Sequence, residues 1–317
     1  MVGRRLSFQQ VTIGVTFAFS LIVASCGTAA VKLPPPTSPQ STPFRQSVSS
    51  APSSSLATST TSSSQSSSQT SEKPKWLLAA NVLKLLQGAA GAFNKVTSQG
   101  VIEVTPIGGT PLLGPGIVPA VKFTSAQTLV QTLQSSSLPS WAKAVVYDPE
   151  YWPLTPTSEQ IDPISASEQA SSAAKEAGLI YVVTPALDLS KALAPGSAVD
   201  GESLISMNLF GKLAAGADVL VIQSQSLEND PSKFYRLLSE GSSQARGVNP
   251  NVDVLGGLST NFRGASANLS TLTTSFTSGL SFVNGYWFNV PGTSSQCPTC
   301  SSADFSLAST FFAEIAS

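Results

Sequence analysis

Two carboxylates one residue apart, Asp148 and Glu150, stand among aromatic residues in the run Tyr147-Asp148-Pro149-Glu150-Tyr151-Trp152. Two nearby carboxyl groups can divide proton chemistry between them. One, held neutral, donates; the other stays ionised and faces developing positive charge. The 317-residue chain has no histidine. That removes the Ser-His-Asp triad, the Cys-His pair, an imidazole base and His-ligated zinc together. Proton transfer is left to Asp, Glu, Tyr or Lys.

The run also has a recognisable place in a fold. Ala144-Val145-Val146-Tyr147 is apolar on both alternating faces, as a buried strand is, and Pro149 ends it because it lacks an N–H. In extended backbone Asp148 and Glu150 share a face. Further apolar runs follow the same plan: 101–106, a weak one at 118–123, then 179–184, 218–223, 252–258 and 283–290. Helical segments lie between them at 125–133, 158–177, 203–214, 231–246 and 267–280, with 303–315 after the last. Strands alternating with helices imply βαβ units and a mostly parallel sheet covered on both faces. Asp230-Pro231 reads as an N-cap with proline at the first helical position, and Ser158 before Glu159 as another helix start. Gly178 and Gly216 sit where helices should stop. Trp76 to Phe93 reads as an amphipathic helix that packs against or plugs the bottom of the domain.

Seven strands, one weak, over residues 75–317 suit an α/β fold of the (β/α)8 TIM-like barrel type. An open doubly wound sheet is the rival. Gly108-Gly109 and Gly114-Pro115-Gly116 match neither a P-loop nor a G-x-G-x-x-G, so no nucleotide cofactor is expected. No metal and no other cofactor is implied. With 17 basic and 18 acidic residues there is no basic field for nucleic acid.

In a parallel barrel the C-terminal strand ends share one rim. Reading those ends collects Asp148 and Glu150 with Trp152; Thr184 with Asp188; Gln223, Gln225 and Glu228; Ser259, Thr260 and Asn261; and Tyr286, Trp287 and Asn289. Asp148, Glu150 and Glu228 are the candidate catalytic groups. Trp152, Asp188, Gln223, Gln225, Asn261, Tyr286, Trp287 and Asn289 are the candidate substrate-binding groups. Carboxylates beside stacking rings and amides point to carbohydrate, whose cleavage needs an acid and a second carboxylate.

Asp148-Pro149-Glu150 resembles the D-x-E that closes the D-x-x-D-x-D-x-E strand of family-18-type chitinases, with Lys143 and Val146 where that family has its earlier aspartates. The resemblance implies Glu150 as general acid and Asp148 as its partner; without it, Asp148 pairs with Glu228. Four stretches, at 147–156, 223–228, 257–261 and 285–292, resemble exported bacterial proteins with glycosidase-like barrels, which implies the barrel but no particular activity.

The N-terminus reads as an export signal. Arg4 and Arg5 precede an apolar run, 11–23, that is short of the about 20 residues of a membrane span. Val23-Ala24-Ser25-Cys26 resembles the lipobox of bacterial lipoproteins, which implies lipidation of Cys26 and a lipid-anchored, extracytoplasmic location. Residues 27–74, rich in Ser, Thr and Pro, read as a disordered tether. Cys297 and Cys300, two residues apart in an exported chain, read as a local disulfide; a redox motif is the alternative, and zinc lacks two ligands. The expectation is a membrane-tethered barrel acting as a glycosidase-like hydrolase. Its alternative is an envelope lipoprotein that binds glycan without cleaving it, or serves structure alone.

Overall fold

The computed structural model describes residues 75–262, 265–293 and 302–316. The signal, the tether, Cys26, Cys297 and Cys300 lie outside the described residues. From Lys75 onward the chain is a (β/α)8 barrel. In order it runs β1 (Lys75–Ala79), α1 (Ala80–Gln87), α2 (Ala90–Gln99), β2 (Val101–Val104), β3 (Ile117–Phe123), α3 (Ala126–Gln134) and β4 (Ala144–Tyr147). Then come α4 (Thr157–Ile161), α5 (Pro163–Glu176), β5 (Ile180–Val183), α6 (Ser190–Leu193), α7 (Glu202–Ser206), α8 (Leu209–Ala214) and β6 (Val219–Ile222). The chain ends with α9 (Pro231–Val248), β7 (Asp253–Ser259), β8 (Asn261–Phe262), β9 (Ala265–Ser266), α10 (Leu269–Gly279), β10 (Gly285–Asn289) and α11 (Phe305–Ala316). The strands β1 to β7 and β10 close into one parallel ring, β10 pairing with both β7 and β1. β8 and β9 form a separate antiparallel pair.

Most barrel strands bury both faces, and the two faces differ in size. Inward-facing positions are mostly small: Ala120, Ala144, Val146, Val182, Val219 and Val221, with Leu77, Leu255 and Trp287. Outward-facing positions carry bulk: Trp76, Phe123, Tyr147, Tyr181, Tyr286 and Phe288 pack against the helices. Trp76 stacks on Phe276 at 5.7 Å and Phe288 on Phe311 at 5.0 Å, so α10 and α11 are fixed by aromatic contact.

Three sequence expectations change. Trp76–Ala79 is a strand, not the start of a helix, and the helical part begins at Ala80. Trp76, Leu77 and Leu78 are buried on both faces, and closure gives β1 hydrogen-bonding neighbours on both sides, which overrides the helix preference of Leu and Ala. This is the eighth strand, and among the described residues no helix plugs the N-terminal end, where a cavity opens instead. The expected helix at 158–177 is broken. Pro163 lacks an N–H and restricts Asp162, so α4 ends there and Asp162 caps α5 by accepting from Ser165 N at 3.1 Å. The segment 203–214 is likewise two short helices, with Asn208 at positive φ between them.

Ser158 lies inside α4, whose N-cap is Pro156 without a side-chain hydrogen bond, and Gly216 follows the α8 C-cap Ala215 without a positive φ; Gly178 and Asp230 act as expected. Gly178, at φ +68°, follows α5 with Gly178 N donating to Lys175 O and Leu179 N to Ala174 O, a Schellman closure. Asp230 caps α9 through Lys233 N at 3.2 Å, with Pro231 next. A cavity of about 300 Å³ opens at the N-terminal end of the barrel, lined by Ile102, Val118, Val219 and Leu255 and edged by the Lys75–Asp253 ion pair. It is at the opposite end from the polar strand ends.

Candidate functional site

The C-terminal mouth is built around Asp148. It follows the last residue of β4, is fully buried, and keeps the inward direction of Ala144 and Val146. A buried carboxylate needs partners, and three neighbouring strands supply them. Lys122, inward on β3, donates to Oδ2 at 2.7 Å. Thr184, beyond β5, donates its hydroxyl to Oδ1 at 2.6 Å. Gln223, beyond β6, donates Nε2 to Oδ1 at 3.0 Å and to the Thr184 carbonyl at 2.7 Å. Gln225 Nε2 then donates to Gln223 Oε1 at 3.1 Å. A hydrogen-bonded chain thus runs around the mouth from β3 to the β6 loop. The Asp148 charge raises the Lys122 ammonium above the ordinary lysine range, so Lys122 is a cation and not a neutral amine nucleophile.

Glu150 is hydrogen-bonded to Asp148 and mostly buried. Burial first, then the Asp148 charge, pushes its carboxyl up to about 9; Lys122 acts the other way, and Asp188 adds a smaller push upward. At neutral pH Glu150 is therefore a carboxylic acid beside Asp148.

The loop carrying Glu150 is held from several sides. Thr155 Oγ1 accepts from Glu150 N at 3.2 Å and from Trp152 Nε1 at 2.9 Å. Gln160 Nε2 donates to the Trp152 and Thr155 carbonyls at 2.9 and 2.7 Å. Asp188 accepts from Tyr151 N at 3.0 Å. Beneath the loop, the buried Glu159 accepts from Ser125 Oγ, Ala126 N, Gln127 N and Tyr147 OH, all between 2.8 and 3.1 Å. It thereby ties α4 to the N-terminus of α3 and to the last residue of β4.

The far side of the mouth belongs to β6, β7 and β10. Glu228 is buried, and burial holds its carboxyl well above the usual range, while Ser259 N donates to its Oε1 at 2.5 Å. Asn261 is buried at β8, with its N–H on Ser259 Oγ at 3.2 Å. Trp287 faces the barrel interior, and Asn289, two residues on, shares its side. Tyr286 is not brought to the mouth. It alternates outward, is fully buried against Trp76 and Phe276, and donates its hydroxyl to the Phe276 carbonyl at 2.8 Å. Trp152 lies on the β4 loop and is part-buried, and Tyr151 beside it is exposed under Lys191, 5.5 Å from its ring.

Among the described residues, no cluster of three or more Asp, Glu, Cys or His could hold a metal ion. No helix there is long and apolar enough to cross a membrane.

Set against known proteins, the chain finds likenesses of fold. No protein-family model and no curated protein matches it. Among solved structures it is similar to a chitinase from Chromobacterium violaceum, at 14% identity and TM-score 0.43, covering 76% of this chain and 99% of that one. It is also similar to a triosephosphate isomerase from Bartonella henselae, at 12% identity and TM-score 0.33, covering 68% and 92%. A sugar phosphate isomerase/epimerase from Parabacteroides distasonis gives 10% identity and TM-score 0.36, covering 78% and 96%.

Sequence reasoning missed Lys122, Thr155, Glu159 and Gln160. Lys122 had a signal: Val118, Ala120 and Lys122 alternate on one face of β3, and that face points inward. Glu159 had none, since its partners Ser125, Ala126 and Gln127 are 32 to 34 residues away in sequence, while Thr155 and Gln160 brace partners three to eight residues away that no motif marks.

Proposed function

We propose that this chain is a membrane-tethered, extracytoplasmic barrel protein that hydrolyses carbohydrate with groups at its C-terminal mouth. The observation that carries the reading is Glu150, a protonated carboxyl beside the buried Asp148. Glycosidic cleavage needs an acid that gives its proton to the leaving oxygen. Glu150 takes that role, and Asp148 is the partner whose charge helps hold its proton. Burial pushes the Glu228 carboxyl up, against the Ser259 N–H that lowers it, which disfavours Glu228 as the anion. Trp287 and Asn289 border the mouth and supply stacking and hydrogen-bonding groups, with Trp152 on the loop beside it. Cys26 provides the lipid tether.

One observation favours a second reading, glycan binding without cleavage. Both Asp148 oxygens are already engaged, by Lys122, Thr184 and Gln223, and the side chain is fully buried. Such an anion sets the charge of the mouth more readily than it touches substrate. Reducing-end release from a panel of neutral polysaccharides, by the wild type and Glu150→Gln, separates the two. Hydrolysis lost in Glu150→Gln with binding kept supports the enzyme. Binding with no hydrolysis by the wild type moves the conclusion to the second reading, and hydrolysis that survives Glu150→Gln puts the acid elsewhere.

A further inference from the structure

We infer that Gln225 is a ligand-reading residue, whose amide oxygen receives an O–H or N–H donor from the sugar and passes that contact along hydrogen bonds to Asp148. The inference rests on the reading of the mouth as a carbohydrate site and adds the atom that recognises the ligand and the effect of that contact on Asp148. The orientation of both amides is forced. Gln223 Nε2 faces two acceptors, Asp148 Oδ1 and the Thr184 carbonyl, so its Oε1 must face Gln225. Gln225 therefore presents Nε2 to Gln223, at 3.1 Å, and its Oε1 points away from the chain.

That oxygen is in the barrel mouth. It lies 2.0 Å from where a Cβ on Gly257 would stand. Gly257 pairs with Trp287 across β7 and β10, and both Trp287 and Leu255 face inward, so a Cβ there would point into the lumen. Gly257 has no side chain, and Gln225 occupies the space. Gln225 is 3% exposed, and its Oε1 has no donor. Thr260 Oγ1, after the end of the same strand, is buried and unpartnered as well. Leaving a buried acceptor unmet costs stability, and such atoms ask for an explanation. Here the explanation is a ligand hydroxyl or amide.

The arrangement also gives the contact a consequence. A donor on Gln225 Oε1 polarises its Nε2–H, which strengthens the bond to Gln223 Oε1, and in turn the bond from Gln223 Nε2 to Asp148. Ligand bound on the β7 side thereby steadies the Asp148 anion on the β4 side, next to Glu150.

Calorimetry on the full chain tests this, with chitotetraose, cellotetraose and xylotetraose as probes. Gln225→Met keeps the length of the side chain and removes the acceptor, and should weaken the bound tetrasaccharide about tenfold. Gln225→Glu, held neutral by burial, keeps an acceptor at that place and a donor to Gln223, and should stay within about threefold of wild type. Equal binding by Gln225→Met overturns the inference and leaves the carbohydrate reading standing. Equal losses in both variants also overturn it, since the acceptor is kept in Gln225→Glu. A wild type that binds none of the three probes removes the carbohydrate reading and this inference with it. If Gln225→Met fails to fold, Gln225→Leu, which also removes the acceptor, serves instead and must produce the same tenfold loss, and unchanged binding there overturns the inference.

Discussion

Glu150→Gln should make the protein more stable at neutral pH while removing the acid it was built to hold. The carboxyl ionises near its ordinary 4.5 in the unfolded chain and at about 9 in the folded one. Below pH 4.5 both states hold the proton, and Glu150 costs nothing on that account. As pH rises above 4.5 the unfolded chain releases its proton and the folded chain does not, so the unfolded state gains at about 1.4 kcal/mol per pH unit. By pH 7 that amounts to about 3 kcal/mol forfeited by folding, and the loss continues toward pH 9, where Glu150 ionises in place. Glutamine has no proton to lose and preserves the neutral shape. Urea unfolding of wild type and variant at intervals from pH 4 to pH 8 reads the difference directly. The variant should match the wild type near pH 4 and exceed it by about 3 kcal/mol at pH 7. A difference that is constant across this range would mean Glu150 is not held protonated, and the acid role would lose its basis. If hydrolysis is lost in the same variant, as the proposed acid role requires, the gain in stability is the expected sign for a group kept in an unfavourable state for function.

Three further outcomes are expected. Lys122→Met removes the cation from a fully buried carboxylate and should cost about 3 kcal/mol in urea unfolding at pH 7; the double variant with Asp148→Asn should recover most of it, and additive losses would refute the coupling. Glu159→Ala strips acceptors from four buried or part-buried donors and should cost at least about 3 kcal/mol, with faster amide exchange at Ala126 and Gln127 than elsewhere in α3; uniform exchange along α3 would show that the cap is not what Glu159 supplies. Cys26→Ser should release the protein from the membrane fraction or block its processing, and unchanged fractionation would refute the lipid tether.

The parts of the barrel legible in sequence are those with no competing pattern. Ala144–Tyr147 and Val219–Ile222 are short, apolar at every position and followed by polar residues, which only a doubly buried strand explains. β1 hid because Leu77, Leu78 and the alanines after them also fit a helix, and only closure of the ring against β10 selects the strand. The mouth was legible wherever a residue follows its strand in register, as Asp148 and Gln223 do. Tyr286 was misplaced by reading a strand end as a cluster. Gly285–Asn289 alternates, so Trp287 faces the lumen and its neighbour cannot. No sequence pattern revealed the bracing by Glu159, because its partners Ser125, Ala126 and Gln127 are brought close only by folding; Thr155 and Gln160 brace near neighbours, but in an irregular loop with no recognisable period.

The departures from the chitinase-like strand pattern and the presence of Lys122 have one physical account. Val146, standing where that pattern has an aspartate, is the register partner of Lys122 on β3, and both face inward. An aspartate at 146 would lie beside the Lys122 ammonium and compete with Asp148 for it. With valine there, Lys122 has one carboxylate to serve, and the 2.7 Å ion pair with Asp148 is the result. Lys143, at the other departed position, is exposed at the N-terminal end of β4, too far down the strand to act at the mouth. A second aspartate below Asp148 would add negative charge to the interior and raise Glu150 further; a cation one strand over neutralises Asp148 and moderates that rise, as its opposing effect on Glu150 shows. This barrel therefore sets the charge of its Asp-Pro-Glu pair from β3, across the sheet, and not from within β4.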